Sequence, residues 1–220
     1  MRSRSVSFFR ALLLALLSAT SLAAVAADPV RPLAPIDPDD FVFERTQVDW
    51  SQAYLQWIAA FPRDASPVSD ATGALCAAQQ EGDVWFLATS NGGAPVERQC
   101  SVPSGKTLFV PIAVTVERSG NKVPDCGSMA RIAVDHLGHV TDLSMTIDGL
   151  AVFNLERQRQ PTGDCFALGL RQVPRSTSKT TVADGWYVML PPLPPGAHTL
   201  VVGARYDATR LATTYRLDVH

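Results

Sequence analysis

The last third of the chain constrains the fold most. Residues 186–190 (WYVML), 197–206 (AHTLVVGARY) and 211–219 are short runs rich in β-branched and aromatic residues, the first two parted by PPLPPG. In the last run Leu211, Thr213, Tyr215, Leu217 and Val219 share one face, while Ala212, Thr214, Arg216 and Asp218 take the other. That period of two is the mark of a half-buried strand. Short strands with turns at this spacing predict a mainly β chain: an antiparallel β-sandwich, with a jelly-roll-like arrangement as its sibling. There is no βαβ alternation and no internal repeat.

The upstream sequence fits the same plan. Val84-Trp85-Phe86-Leu87 reads as a strand buried on both faces. Asn91-Gly92-Gly93 is a turn. In residues 107–117 Leu108, Val110, Ile112, Val114 and Val116 share one face. Pro111 interrupts that run, and a proline cannot donate to a ladder, so this strand is an edge or carries a bulge there. Residues 140–155 predict a hairpin turning at Asp148-Gly149, a pair suited to positive φ. A second pair, Asp184-Gly185, predicts another hairpin between TTVA and WYVML, with residues 156–180 a long loop tied down by Cys165.

Two helices are expected. Trp50, Tyr54, Trp57, Ile58 and Phe61 recur at helical spacing over about 50–61, with Asp49 or Ser51 as cap and Pro62 as stop. A shorter helix runs from Ser128 to Leu137 and ends at Gly138.

Residues 1–27 read as a secretory signal peptide. Arg2, Arg4 and Arg10 precede an apolar stretch, and Ala24-Val25-Ala26 fits the small-x-small cleavage rule. Cleavage removes three of the 19 basic residues and none of the 21 acidic ones, leaving a net charge of −5. That balance argues against nucleic acid or anionic lipid as partner. No second apolar run of ~20 residues follows, so no integral membrane segment is expected after cleavage. Residues 28–47, with prolines and aspartates in DPVRPLAPIDPDD, form an extended lead-in, and 48–220 a single β-sandwich domain. The placement expected is periplasmic or secreted. Four cysteines in such a chain predict two disulfides, of which Cys76–Cys100 and Cys126–Cys165 are favoured as sequence neighbours.

Several segments together resemble a family of exported bacterial proteins without an assigned activity. They are Asp83 to Ala88, Arg98-Gln99-Cys100-Ser101-Val102-Pro103-Ser104-Gly105-Lys106, Ile147-Asp148-Gly149, and Leu193-Pro194-Pro195-Gly196-Ala197-His198-Thr199. The shared signature is roughly VWFLAG, RxCxVPxGK, IDG and LPPLxPGxHT, and the resemblance spans most of residues 50–202. Ala88-Thr89 stands where the family has Ala-Gly, and Tyr54 where a further Trp is expected. The resemblance implies export and this fold, and supplies no catalytic residue.

Chemistry is sparsely signalled. Gly105-Lys106-Thr107 is no phosphate loop, because the glycine that motif requires is replaced by Cys100. His136 and His139 with nearby carboxylates are the metal candidates, against a solvated helix end that Gly138 favours, and no cofactor is expected. Asp70, Glu81, Asp83 and Asp142 are carboxylates from which a glycosidase pair would be drawn. There is no G-x-S-x-G elbow for a hydrolase using His198. Trp85 and Trp186 are candidate ligand-stacking residues, and Arg98 and Lys106 candidate contacts for an acidic ligand, each set against a core or surface role. The reading favoured is a non-catalytic binding or structural protein of the cell envelope, with a glycan or envelope protein as partner. The alternative is a hydrolase acting on envelope or extracellular carbohydrate.

Overall fold

The computed structural model describes residues 33–119, 125–169 and 180–220. The signal-peptide reading of residues 1–27 lies outside them. The chain is mainly β with two helices: α1 (Gln47–Ala59), β1 (Val84–Phe86), β2 (Val96–Val102), β3 (Thr107–Arg118), α2 (Cys126–Leu137), β4 (Val140–Ile147), β5 (Leu150–Ala151), β6 (Phe166–Ala167), β7 (Thr180–Leu190), β8 (Gly196–Tyr206) and β9 (Thr209–Val219). Two sheets result, in the orders β1-β3-β7-β6 and β2-β9-β8-β4-β5. Most ladders are antiparallel, but β1 with β3 and β2 with β9 are parallel, so both sheets are mixed. Neither parallel pair is joined by a hairpin, which is what frees its direction.

One apolar core joins residues of the two sheets: Trp85, Val110 and Val188 from the four-stranded sheet, Val102, Leu200 and Leu217 from the five-stranded one. A second lies on the other face of the four-stranded sheet, where α1 packs Tyr54, Leu55 and Trp57 against Phe86, Phe109, Tyr187 and Met189. The chain therefore builds three layers, helix on sheet on sheet. β1 is buried on both faces as its unbroken apolar run predicts, with Val84 and Phe86 toward the helix and Trp85 between the sheets.

Several local expectations are corrected. α1 starts at Gln47, because Thr46 caps it. The Thr46 hydroxyl accepts from the Asp49 N–H, and the Asp49 carboxylate accepts from the Thr46 N–H, both at 3.1 Å, a reciprocal box. α2 starts at Cys126 with Asp125 accepting from the Ser128 N–H at 2.9 Å. The Asp184-Gly185 hairpin does not exist, since β7 runs straight through it. Asp184 is buried and ion-paired to Arg159 at 2.6 Å. A Cβ on Gly185 would stand 2.8 Å from the Ala113 carbonyl oxygen, so glycine serves close strand approach rather than a turn. Of the expected 156–180 loop, Leu155–Gln158 is a 3₁₀ turn and Phe166–Ala167 is β6, while 170–179 lie outside the described residues.

Pro111 marks a bulge. Register in the β3–β7 ladder passes from Pro111↔Tyr187 to Ala113↔Trp186, leaving Ile112 as the extra residue. An inserted residue swaps the faces of everything after it. Leu108, Val110 and Ile112 thus enter the core between the sheets, but Val114 and Val116 pack on the helix side, so the five do not share a face.

Candidate functional site

The site is framed by a buried cation. On β2 the residues alternate, with Arg98, Cys100 and Val102 inward. Arg98, expected at the surface, is 1% exposed. Its Nε donates to the Asp70 carbonyl at 2.7 Å, Nη2 to those of Val68 at 3.1 Å and Thr89 at 3.2 Å, and Nη1 to the Tyr215 hydroxyl at 2.7 Å and to the Ala88 carbonyl. The Tyr215 hydroxyl in turn donates to the Ala88 carbonyl. Burial pushes the Tyr215 phenol well up, against the lowering effect of Arg98, so it stays a neutral donor. The five donors of a planar guanidinium suit this many diverging carbonyls. The Asp70 carboxylate caps the following turn, accepting from the Thr72 and Leu75 N–H groups at 2.8 Å. Burial alone raises its pKa, but these N–H groups outweigh it and the net shift is down. The adjacent Cys76–Cys100 disulfide, Cα–Cα 5.6 Å, holds the far end of that segment.

Arg98 thereby fixes Ala88 and Thr89, where the chain leaves the side of β3. The Leu87 N–H still bonds the Phe109 carbonyl at 3.1 Å, but β1 pairs no residue of β3 beyond Phe109. The departure opens a groove of about 560 Å³. Its floor is β3 from Ile112 to Glu117. Its walls are Thr89–Asn91, His136 at the end of α2, Val140, and the β8–β9 tip with Tyr206, Thr209 and Leu211. A histidine–carboxylate contact lies in it, His136 Nδ1 and Glu117 Oε1 2.9 Å apart. Such a concave site, lined by polar and apolar side chains alike, suits ligand binding.

The residues singled out from sequence do not gather there, apart from His136. Trp85 is 7% exposed and lies in the core between the sheets. Trp186 is half-buried, with the Arg159 guanidinium 5.7 Å from its ring and its own N–H toward the Glu156 carbonyl at 3.4 Å. Lys106 donates to the Gly82 carbonyl at 2.6 Å and lies 3.8 Å from Asp83. His139 is held by Asp207 at 2.9 Å, away from the partner of His136. Among the described residues no group of three His, Cys, Asp or Glu side chains is placed to hold a metal ion. Asp142 pairs with Arg205 at 3.1 Å. Cys126 and Cys165 are joined, Cα–Cα 5.5 Å, as the favoured pairing predicts. No helix among the described residues is long and apolar enough to cross a membrane.

His198 is committed to structure. Its Nδ1 faces Asp148 Oδ2 at 2.7 Å and its Nε2 faces the Pro194 carbonyl at 2.8 Å. Both partners only accept, so both contacts are satisfied as hydrogen bonds when each ring nitrogen carries a proton, the imidazolium form. Burial lowers its pKa, but the Asp148 hydrogen bond, the Pro194 carbonyl and the Asp148 charge together raise it overall.

The groove was partly legible, because Pro111 within an apolar run flags a strand side with no ladder. Thr89–Asn91 and the β8–β9 tip carried no signal of their own.

The fold and groove define a disulfide-linked, mainly β protein with a concave site at one sheet edge. No family model matches the chain, and no curated protein matches it. Among solved structures it is similar to that of PbICP-C in complex with falcipain-2, at 11% identity and a TM-score of 0.28, covering 63% of this chain and 100% of that one. At that score the likeness bears on neither fold nor function.

Proposed function

We propose that this is an exported, non-catalytic binding protein of the bacterial cell envelope, a member of the exported family its motifs resemble, and that it takes its partner in the β3 groove. One observation carries the reading: the buried Arg98 cluster fixes Ala88 and Thr89 at the rim of a groove of about 560 Å³ beside the three-layer fold. A buried cation with this many carbonyl partners is a costly way to shape a loop, and strained or costly local structure clusters at sites of function. Two disulfides support an oxidising compartment, periplasmic or external, as does the reading of residues 1–27 as a leader.

The test is a thermal-shift and NMR screen of residues 28–220, disulfides intact, against peptides, cell-wall fragments and oligosaccharides. Ligand binding to the native state raises the midpoint by mass action. One class is expected to raise it and to move the amide signals of Thr89–Asn91 and Ile112–Glu117. Thr209→Trp, at an exposed wall position, fills the groove and is expected to abolish that shift. A ligand whose shift survives Thr209→Trp, or a panel member that is turned over, overturns the reading.

A further inference from the structure

We propose that the β3 groove receives an extended segment of a partner protein, which adds as a strand to the free edge of β3. This rests on the groove being the binding site, and it names the manner of binding and the partner's chemistry.

The edge is defined by register. Ser119 donates its N–H to the Thr180 carbonyl at 2.9 Å, which makes 119↔180 a hydrogen-bonded pair. Antiparallel pairs alternate between bonded and non-bonded. The pairs Val116↔Ala183 and Val114↔Gly185 are therefore non-bonded, and the N–H and C=O groups of Val114, Val116 and Arg118 point away from β7. An independent observation agrees. The Ala183 and Gly185 carbonyls, which would otherwise face Val116 and Val114, accept from the Thr162 and Gln160 N–H groups at 2.9 and 2.8 Å on the other side of β7. On the outward side of β3, β1 has ended at its pairing with Phe109, and no described strand replaces it. Pro111 sits where that side opens, with no N–H to leave unpaired.

Other sheet edges among the described residues are blunted in the usual ways. β5 and β6 have two residues each and β1 three. β2 bears exposed Glu97 and Gln99, and the Gln99 N–H is taken by the Thr72 carbonyl at 2.9 Å. The β3 edge instead presents an uninterrupted β-branched run, Val114-Thr115-Val116, at the floor of a groove. An edge left in this state is the template for strand addition, where main-chain bonds give affinity and alternate side chains give specificity.

The occupant follows from shape and charge. Ile112 to Arg118 spans about 23 Å at strand rise, room for six or seven extended residues. His136 of α2 and Tyr206, Thr209 and Leu211 of the β8–β9 tip stand beside this edge. The lining holds a carboxylate, Glu117, and neither Lys nor Arg. The segment is therefore one with β-branched or apolar residues at alternate positions and a Lys or Arg opposite Glu117, sharing its carboxylate with His136.

The experiment is selection of phage-displayed random heptapeptides on immobilised, disulfide-intact protein, followed by titration of the enriched peptide. Enriched sequences are expected to alternate β-branched residues and to carry one basic residue. On binding, the amides of Val114, Val116 and Arg118 are expected to gain protection from hydrogen exchange, and N-methylation of alternate peptide amides to abolish binding. Val116→Pro deletes one outward N–H at a position where an edge tolerates proline, and is expected to weaken binding at least tenfold while circular dichroism shows the fold retained, with some loss of melting midpoint because Val116 also packs on the helix side. If Val116→Pro does not fold, exchange protection and the N-methylated peptide decide alone. Binding that is lost in Thr209→Trp but kept in Val116→Pro leaves the groove as the site and overturns strand addition. Binding kept in both overturns the site itself. No enrichment, or self-association in sedimentation that Val116→Pro removes, overturns the partner-segment assignment, the latter in favour of a second copy.

Discussion

At the scale of single residues, Arg98 is the position where the most structure depends on one side chain. It draws Val68, Asp70, Ala88 and Thr89 from two chain segments onto β2, and Tyr215 on β9 completes the ring. Removing one partner of a buried charged cluster leaves the others unsatisfied, at about 3–5 kcal/mol. Arg98→Met is expected to lose that much in urea unfolding followed by tryptophan fluorescence. Arg98→Lys is expected to lose nearly as much, because three donors on a compact ammonium cannot reach carbonyls spread around a planar fork. A loss below 1 kcal/mol in Arg98→Met would show that the cluster does not hold the loops. The same residue hides β2 in the sequence. Its inward positions are Arg98, Cys100 and Val102, and an inward arginine breaks the apolar alternation on which strand recognition rests.

At the scale of elements, the legible parts were those whose pattern comes from local packing. The aromatic stripe of α1 and the alternation of β9 each follow from one buried face, and the unbroken apolar run of β1 from two. What misled was chemistry that two structures share. Asp148-Gly149 does turn, with φ of 52° and 80°, and β4 and β5 pair across it. Asp184-Gly185 is the same dipeptide, but there Arg159 takes the carboxylate and the neighbouring strand takes the space of the missing Cβ. Only the fold distinguishes the two. The 148–149 turn is also clamped to β8, because Asp148 accepts from His198 and from the Thr199 N–H at 2.8 Å. The pH behaviour of this clamp can be stated by sign. His198 has a raised pKa when folded, so its contribution is full below the unfolded value of about 6.5 and fades as pH rises through the folded value. Asp148 is lowered overall: burial opposes the shift, but the His198 and Thr199 hydrogen bonds and the His198 charge outweigh it. Its contribution is present above about 3.9 and fades as pH falls through the folded value. The clamp is strongest between roughly pH 4 and 6.5. Melting midpoints measured from pH 5 to 9 are expected to fall for the wild type relative to His198→Gln, and parallel curves would exclude the imidazolium assignment.

For the whole molecule, the two disulfides divide the labour of holding the layers. Cys76–Cys100 is buried, its cysteines 8% and 4% exposed, and ties the segment after α1 to β2 beside Arg98. Cys126–Cys165 is half-buried and ties the first residue of α2 to the chain just before β6. The loops they close, with sequence separations of 24 and 39, give about 3–4 kcal/mol each on the chain-entropy model. Similar worth with unequal access makes reduction ordered, since thiolate attack needs a reachable sulfur. Low concentrations of dithiothreitol at neutral pH are expected to open Cys126–Cys165 first, leaving Cys76–Cys100 closed until the fold opens globally. α2 stays seated in that intermediate, because Met129, Ala133 and Leu137 are buried and the Thr115 hydroxyl donates to the Ala133 carbonyl at 3.1 Å. Its far end, where His136 meets Glu117 at the groove, is unaffected. The intermediate should therefore melt lower than the oxidised protein yet bind the groove peptide with little change. Alkylation during reduction followed by peptide mass mapping gives the order. Modification of Cys76 or Cys100 first, or loss of peptide binding together with Cys126–Cys165, would mean that this second bridge, rather than the packing of α2, sets the shape of the groove.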